Sequence, residues 1–356
     1  MSLDRFMEQV ASDVNKKIEE YIPRVFSKHA VLFSVERPRY SYNLAALNKT
    51  IAEPIWEFLD RGGKRWRPAL FLLVCEALGK KSCDFLDFAI IPEVVHNGTL
   101  MVDDLEDSSD FRRGKPCTYK LFGVDVAVNA GNAMYYLPLL TLLENRKKIP
   151  AIKLARVYEV YVQEMINLSV GQAVDIAWHR GLLDEDELSE KDYLQMCAYK
   201  TGTLARMAAK IAAVLCGADE RLVEDLGLFA ESLGVAFQMK DDVLDLTSFS
   251  FAEKKGGRGQ DITEGKRSLP VIHTIKVSNL EDRKRLIEIL DMHTSEQRFR
   301  DEAIDIMEKY GSIEYARRFS RRIVMRSWKK AEQLLPGSDA KEKLKAFAEF
   351  LIERKI

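Results

Sequence analysis

Apolar residues recur three and four positions apart along most of the chain, the period of one helix face. No proline falls between Pro150 and Pro270. Within that stretch Ile152, Ala155, Tyr158, Val162, Met165, Ile166 and Ser169 follow one another at helical spacing. The pattern predicts a single helix over residues 151–179, about 40 Å long at ~1.5 Å per residue. Segments 204–217, 222–248, 281–291, 299–310 and 313–334 read the same way, several opened by Asp, Ser or Asn in capping positions. Strand-like alternation is absent. Residues 31–44 (VLFSVERPRYSYNL) combine aromatics and a proline with poor periodicity, as expected of an irregular connection. No low-complexity linker, fixed-period repeat or shift in composition marks a boundary. The expectation is one all-α domain over residues 1–356.

Composition narrows the class. The 356 residues are 47% hydrophobic and 31% charged, ordinary for a globular protein and too apolar for a disordered one. Lys and Arg total 54 against 55 Asp and Glu, so bulk charge attracts neither nucleic acid nor anionic lipid. Any phosphate binding must come from local clusters. Cys75, Cys83, Cys117, Cys197 and Cys216 are scattered without a Cys-x-x-Cys pair, which argues against zinc and disulfides and fits a reducing compartment. The opening MSLDRFMEQV has acids where a secretion signal needs an apolar core. The longest uninterrupted apolar run, Ala69 to Cys75, is far short of the roughly 18 residues of a spanning helix. A cytoplasmic protein without an integral membrane segment is expected.

Two acidic groups interrupt apolar runs. Val94 to Val102 is followed by Asp103-Asp104-Leu105-Glu106-Asp107, and Gly234 to Lys240 by Asp241-Asp242-Val243-Leu244-Asp245. Both are DDxxD. On a helix the first and last aspartates of each project from one face a turn apart, where like charges repel. A solvated helix end would explain one such group. Its repetition after a second apolar run favours a divalent cation held between carboxylates. With oxygen donors only, the ion is a hard one, Mg²⁺ or Mn²⁺, which takes one or two carboxylates and completes its shell with water and phosphate oxygens. Two such groups facing each other across a cavity would hold a diphosphate through bridging metals.

Cations are grouped as well, in Gly62-Gly63-Lys64-Arg65-Trp66-Arg67-Pro68, Arg112-Arg113-Gly114-Lys115, Lys200-Thr201-Gly202 and Gly265-Lys266-Arg267-Ser268. Arg offers phosphate a planar fork, Lys a point charge, and Gly lets backbone amides approach. Each alone is compatible with a solvated turn. Acids interrupt them and no stripe of one sign runs along the chain, which disfavours nucleic acid as a partner. Together with the acidic groups, and without a nucleophilic Cys or a Ser-His-Asp set, they point to chemistry on diphosphates. Metal-bound diphosphate leaves readily, and a dry apolar cavity would shield a carbocation from water.

At these residues the chain resembles the trans-isoprenyl diphosphate synthases, or polyprenyl synthetases. GGKRWRP is similar to the family's GGKxxRP, DDLED with RRGKP to its first aspartate-rich region, and Gly171-Gln172-Ala173-Val174-Asp175 to GQxxD. Lys200-Thr201, Phe237-Gln238 with DDVLD, and Asp261 with Glu264-Gly265-Lys266 follow in family order. The resemblance implies a bundle of antiparallel helices around a deep central cavity, and a homodimer. It implies three Mg²⁺ ions, with Mn²⁺ as a substitute, held by Asp103, Asp107 and Asp241, with Asp104, Asp242 and Asp245 supporting or ligating. Arg112, Lys200, Thr201, Gln238 and Lys266 would hold an allylic diphosphate, and Lys64, Arg67, His96 and Arg113 isopentenyl diphosphate. Gln172 and Asp175 would line the reaction zone. Many relatives carry a lysine where Gly256 stands, and Lys254, Lys255 and Arg258 are the candidates to replace it.

The implied reaction is head-to-tail condensation of isopentenyl diphosphate with a dimethylallyl, geranyl or farnesyl diphosphate, releasing pyrophosphate and a product that partitions to membrane. Gly98 and Thr99 lie five and four residues before Asp103, one helical turn below it. Relatives that stop at farnesyl have aromatics here, so small residues imply a product of geranylgeranyl length or longer. Met134, Tyr135 and Tyr136 are candidates for the floor that ends growth, or else ordinary core. A class I terpene cyclase, a head-to-head condensing enzyme and a non-catalytic subunit of a synthase are the alternatives, and two intact DDxxD motifs with GGKxxRP weigh against each.

Overall fold

Helices make up nearly all the regular structure in the computed structural model, which describes residues 3–28, 39–182, 188–248 and 257–353. In chain order they are α1 (Leu3–Tyr21), α2 (Leu44–Leu47), α3 (Glu53–Leu59), α4 (Trp66–Ala77), α5 (Leu86–Glu106), α6 (Thr118–Phe122), α7 (Val124–Tyr136), α8 (Leu140–Asn145), α9 (Ala151–His179) and α10 (Glu190–Cys197). Then come α11 (Thr203–Cys216), α12 (Glu220–Thr247), α13 (Gln260–Thr263), α14 (Leu269–Val277), α15 (Leu280–Asp291), α16 (Gln297–Lys309), α17 (Ser312–Ala331) and α18 (Asp339–Glu353). The all-α expectation holds, and the helix foreseen over 151–179 is α9. One detail departs from it: Phe111–Arg112 and Lys115–Pro116 pair as antiparallel strands β1 and β2. Arg113 and Gly114 turn between them with φ of 53° and 76°, the two left-handed residues of a tight hairpin. Of the irregular segment 31–44, residues 31–38 lie outside the described residues, as do Lys254, Lys255 and Gly256.

The packing groups the chain into two units. The first comprises residues up to Glu159 with 208–219 and 338–343. Its central element is α5, which packs against α1, α4 and α7. Apolar residues therefore surround that helix: Ile90, Ile91, Val94 and Val95 have no exposed surface. Helices α5 and α7 cross at two glycines. A Cβ at Gly98 would lie 2.7 Å from Gly131 O and 2.8 Å from Met134 Cβ, and one at Gly131 would lie 2.8 Å from Val102 Cγ2. Two stretches, Ser82–Glu106 and Val124–Asn145, are long and apolar enough by length and composition to cross a membrane. The first is mostly buried inside the unit, as a core helix is; the second is covered on one side only, leaving Val124, Tyr136 and Leu143 exposed.

The second unit comprises residues 160–207, 220–337 and the chain from 344. Here α12 runs along α17, with the Phe229 and Trp328 rings 5.4 Å apart. Trp178, Tyr193, Met239, Leu269, Ile289 and Met307 belong to one buried cluster. Each such side chain contributes roughly 1.5–3 kcal/mol by leaving water. Between α10 and α11 the helical path widens into a π turn at Ala198–Gly202, which packs on α12.

Candidate active site

In the first unit, DDLED closes α5. Asp103, Asp104 and Glu106 occupy the last turn, and Asp107 caps it, its N–H donating to Asp103 O at 2.8 Å. A helix C-terminus is the negative pole of the backbone dipole, so four acids there are doubly unfavourable without a cation. Arg112 supplies part of the compensation. Its Nε donates to Asp104 Oδ1 at 2.6 Å and its Nη2 lies 2.5 Å from the same oxygen, while Asp103 Oδ2 is 3.8 Å away. Asp104 is fully buried, and burial raises its carboxyl above the usual range while Arg112 pulls the other way. Asp103 and Asp107 stay half-buried. The middle aspartate is thus spent on Arg112, and the outer two share a face.

A cationic group lies in the same unit. Gly62, Gly63 and Arg65 all have positive φ, and Arg67 follows in the first turn of α4. Gly63 has φ of 148°, a conformation that favours glycine, and a side chain there would press on Arg65 Nη1 at 3.2 Å and Arg113 Nη2 at 3.3 Å. Arg65 and Arg67 are buried and Lys64 is exposed. Arg65 donates to Glu93 Oε1 at 2.9 Å and to Asn15 Oδ1 at 3.0 Å. Asn97 donates to the same Glu93 oxygen at 3.0 Å and accepts from Arg113 Nη2 at 3.2 Å; Arg113 also donates to Gly62 O. Burial, then the charge of Arg65, lowers the Arg113 guanidinium to about 10. Burial first, then Arg67, Arg113, Arg112 and Arg65, holds the His96 imidazole well below its ordinary value, so it is neutral at pH 7. Cations crowded in this way gain from an added diphosphate. The sequence marks Arg65 only as one of a group of cations, and assigns no role to Glu93 and Asn97. The available signal was two polar residues four apart inside the apolar run of α5.

In the second unit, the π turn carries Lys200 and Thr201. Glycines on both flanks let backbone approach backbone. A Cβ at Gly171 on α9 would collide with Lys200 N and lie 2.6 Å from Tyr199 C; one at Gly234 on α12 would lie 2.6 Å from Gly202 Cα. Lys200 Nζ meets Asp175 Oδ2 at 2.5 Å. Thr201 Oγ1 donates to Gln238 Oε1 at 2.9 Å, and Gln238 Nε2 donates to Asp242 Oδ1 at 2.8 Å. Tyr193 donates to Asp242 Oδ2 at 2.7 Å. Both Asp242 oxygens are therefore engaged, and burial, with the charge of Asp261 next, pushes its carboxyl up to about 7. Asp245 is fully buried and accepts from Asp261 N at 3.0 Å. Lys266 Nζ lies 3.7 Å from Asp261 Oδ1 and pairs with Glu264. Asp241 and Gln172 are half-buried. Tyr193, which no motif marked, is the residue that sequence reasoning missed here.

Each DDxxD is thus sorted alike: its second aspartate is withdrawn into buried bonds and its first is left half-exposed. Among the described residues no three His, Cys, Asp or Glu side chains converge closely enough to enclose an ion by themselves. That suits a hard divalent cation which keeps most of its shell as water and substrate phosphate. The oxygen-only donors and the excess negative charge at the end of α5 fit such an ion.

The fold is that of an isoprenyl chain-elongating enzyme. The polyprenyl synthetase family model matches residues 48–307, and the chain belongs to that family. It is 32% identical over 308 residues to a short chain isoprenyl diphosphate synthase of Methanothermobacter thermautotrophicus, covering 86% of this chain and 91% of that protein. It is 31% identical to a geranylfarnesyl diphosphate synthase of Natronomonas pharaonis, over 83% of this chain and 87% of the other. The crystal structure of a geranylgeranyl pyrophosphate synthetase from Pyrococcus horikoshii superposes with a TM-score of 0.82 at 29% identity, covering 99% of both chains. The protein is a trans-prenyltransferase of a family that uses a divalent metal, isopentenyl diphosphate and an allylic diphosphate.

Proposed function

We propose that the enzyme condenses isopentenyl diphosphate head-to-tail with an allylic diphosphate to give geranylgeranyl diphosphate or a longer homologue, with Mg²⁺ as its metal. The observation that carries the site assignment is the like sorting of the two acidic groups. Asp103, Asp107 and Asp241 are half-buried, and Asp103 and Asp107 share a helix face, which supports them as the residues to hold metal, with Asp104, Asp242 and Asp245 supporting or ligating. Three ions, Mg²⁺ or Mn²⁺, would neutralise the diphosphate as it leaves. Both acidic groups are needed in one turnover, and the whole chain acts as one catalytic domain.

Arg112, Lys200, Thr201, Gln238 and Lys266 bind the allylic diphosphate. Lys64, Arg67, His96 and Arg113 bind isopentenyl diphosphate, His96 as a neutral hydrogen-bonding group. The allylic C1–O bond breaks with its electron pair going to pyrophosphate. The double-bond pair of isopentenyl diphosphate then forms the new bond to C1, and the proton lost from the adduct passes to the pyrophosphate. Asp175 holds Lys200 in place, beside Gln172.

The small, half-buried Thr99 supports a long product, whereas Gly98 meets Gly131 on α7 and is small because the helices cross there. Relatives named for geranylgeranyl and geranylfarnesyl diphosphates also support a long product. Exposed apolar residues one turn apart on α9, Val162, Ile166 and Val170, support a homodimer. We place the enzyme in the cytoplasm, its product partitioning to membrane and nucleic acid having no part. Incubation of the purified protein with Mg²⁺, farnesyl diphosphate and labelled isopentenyl diphosphate should yield labelled prenyl alcohols after phosphatase treatment. Label remaining in isopentenol alone would overturn the proposal.

A further inference from the structure

Helix α17 separates its residues by sign and polarity more sharply than any stretch of sequence suggests. Its inner side, Ile313, Ala316, Val324, Trp328 and Ala331, is buried within the second unit, against α12, α14 and α16. Its outer side carries Arg317, Arg318, Arg321, Arg322, Arg326, Lys329 and Lys330, all exposed. Glu314 is the one acid in the 20-residue helix, 3.6 Å from Arg317. Exposed Met325 lies amid the cations. Seven positive charges thus line about 20 Å of helix, at ~1.5 Å per residue, in a chain whose net charge is −1. In the linear sequence these cations alternate with apolar residues and form no stripe. The helix makes one of Arg318, Arg322, Arg326 and Lys329, which stand three and four apart opposite the buried side, with Arg317, Arg321 and Lys330 toward its flanks.

We propose that this face docks the enzyme on an anionic lipid bilayer. The apolar side of α17 is used by the core, so the helix does not insert; it presents a rigid array of long cationic side chains to lipid phosphates, with Met325 the apolar contact. Lys and Arg near such a surface are attracted within about one Debye length, ~8 Å at physiological salt. The choice of a bilayer rests on the prenyl-elongation reading, whose product joins a diphosphate to an apolar chain that water does not hold. Nucleic acid fits less well. The face offers no exposed aromatic for bases to stack on: Tyr315 and Phe319 are half-buried and Trp328 is buried.

The test is co-sedimentation of the full-length protein with vesicles of phosphatidylglycerol mixed with phosphatidylcholine, compared with phosphatidylcholine alone. Binding is expected only to the mixed vesicles, and should disappear in high salt. The double variant Arg318→Glu, Lys329→Glu should bind at least roughly tenfold more weakly, whereas Arg318→Lys with Lys329→Arg should bind as the parent does. Failure of the parent to sediment with anionic vesicles, equal binding by the Glu variant, or retention by duplex DNA in place of vesicles would each overturn the proposal. Turnover measured without lipid should be unchanged in both variants. Because vesicle binding is read without turnover, an inactive protein that binds would count against the prenyl-elongation reading, and an active one that does not bind would count against the docking face.

Discussion

Arg65 and Glu93 form an ion pair at 2.9 Å with side chains only 1% and 3% exposed. Glu93 also fixes Asn97, and Asn97 holds Arg113, so one buried carboxylate sets the position of an arginine assigned to isopentenyl diphosphate. Removing one partner of a buried pair costs about 3–5 kcal/mol because the other charge is stranded. Glu93→Ala should therefore lower the denaturation midpoint strongly. Asn97→Leu keeps the ion pair and removes the link to Arg113 together with the amide's own bonds to Glu93. It should raise KM for isopentenyl diphosphate while leaving KM for the allylic substrate unchanged. Equal effects on both would refute the positional role.

The two acidic groups contain residues with opposite expected signatures. Asp103→Ala and Asp241→Ala remove half-exposed charges from places where like charges repel. Turnover should fall by roughly a hundredfold or more, with little loss of thermal stability. Asp104→Ala removes the nearest carboxylate from the Arg112 guanidinium and should lose both activity and stability. Parallel steady-state assays and melting curves separate the cases, and a near-native rate for Asp103→Ala would remove it from the metal site.

Chelation gives a second check on those residues. EDTA should abolish turnover and Mg²⁺ restore it. Added Mg²⁺ with a non-reacting diphosphate should raise the melting temperature of the parent and not that of Asp103→Ala, since only a ligand that binds the folded state stabilises it.

Gly171 and Gly234 set the backbone of the π turn that carries Lys200 and Thr201. Gly234→Ala must displace Gly202, where the added Cβ would lie 2.6 Å from its Cα. Circular dichroism should retain the helical content while kcat falls by at least about tenfold, the order of effect that misplacing a binding group produces. An unchanged kcat would mean that the turn tolerates the shift.

Product length separates two neighbours. The structure points Gly98 at Gly131 on α7, so Gly98→Phe forces the helices apart and should chiefly destabilise. Thr99 is half-buried, its hydroxyl donating to His96 O at 2.8 Å. Thr99→Phe should shorten the product, read by chromatography of the released alcohols. The same product distribution as the parent would place the wall elsewhere.

Much of this protein was legible before folding was considered. Helical period depends on neighbours within a turn, so α9, α12 and α17 emerge from sequence within a few residues of their ends. Motif residues likewise declared themselves through local spacing, as in DDLED, DDVLD and GGKRWRP. What the sequence by itself determined was therefore the all-α class, the diphosphate chemistry and the chemical groups available for it.

Tertiary structure decided which of two adjacent aspartates is withdrawn and which is left half-exposed. That choice depends on Arg112 and Tyr193, eight and forty-nine residues from their partners. It decided that Gly98 faces a helix, that Glu93 and Asn97 stand behind Arg113, and that scattered cations on α17 share one face. Burial and hydrogen bonding are set by which distant segments meet, and no local pattern encodes that.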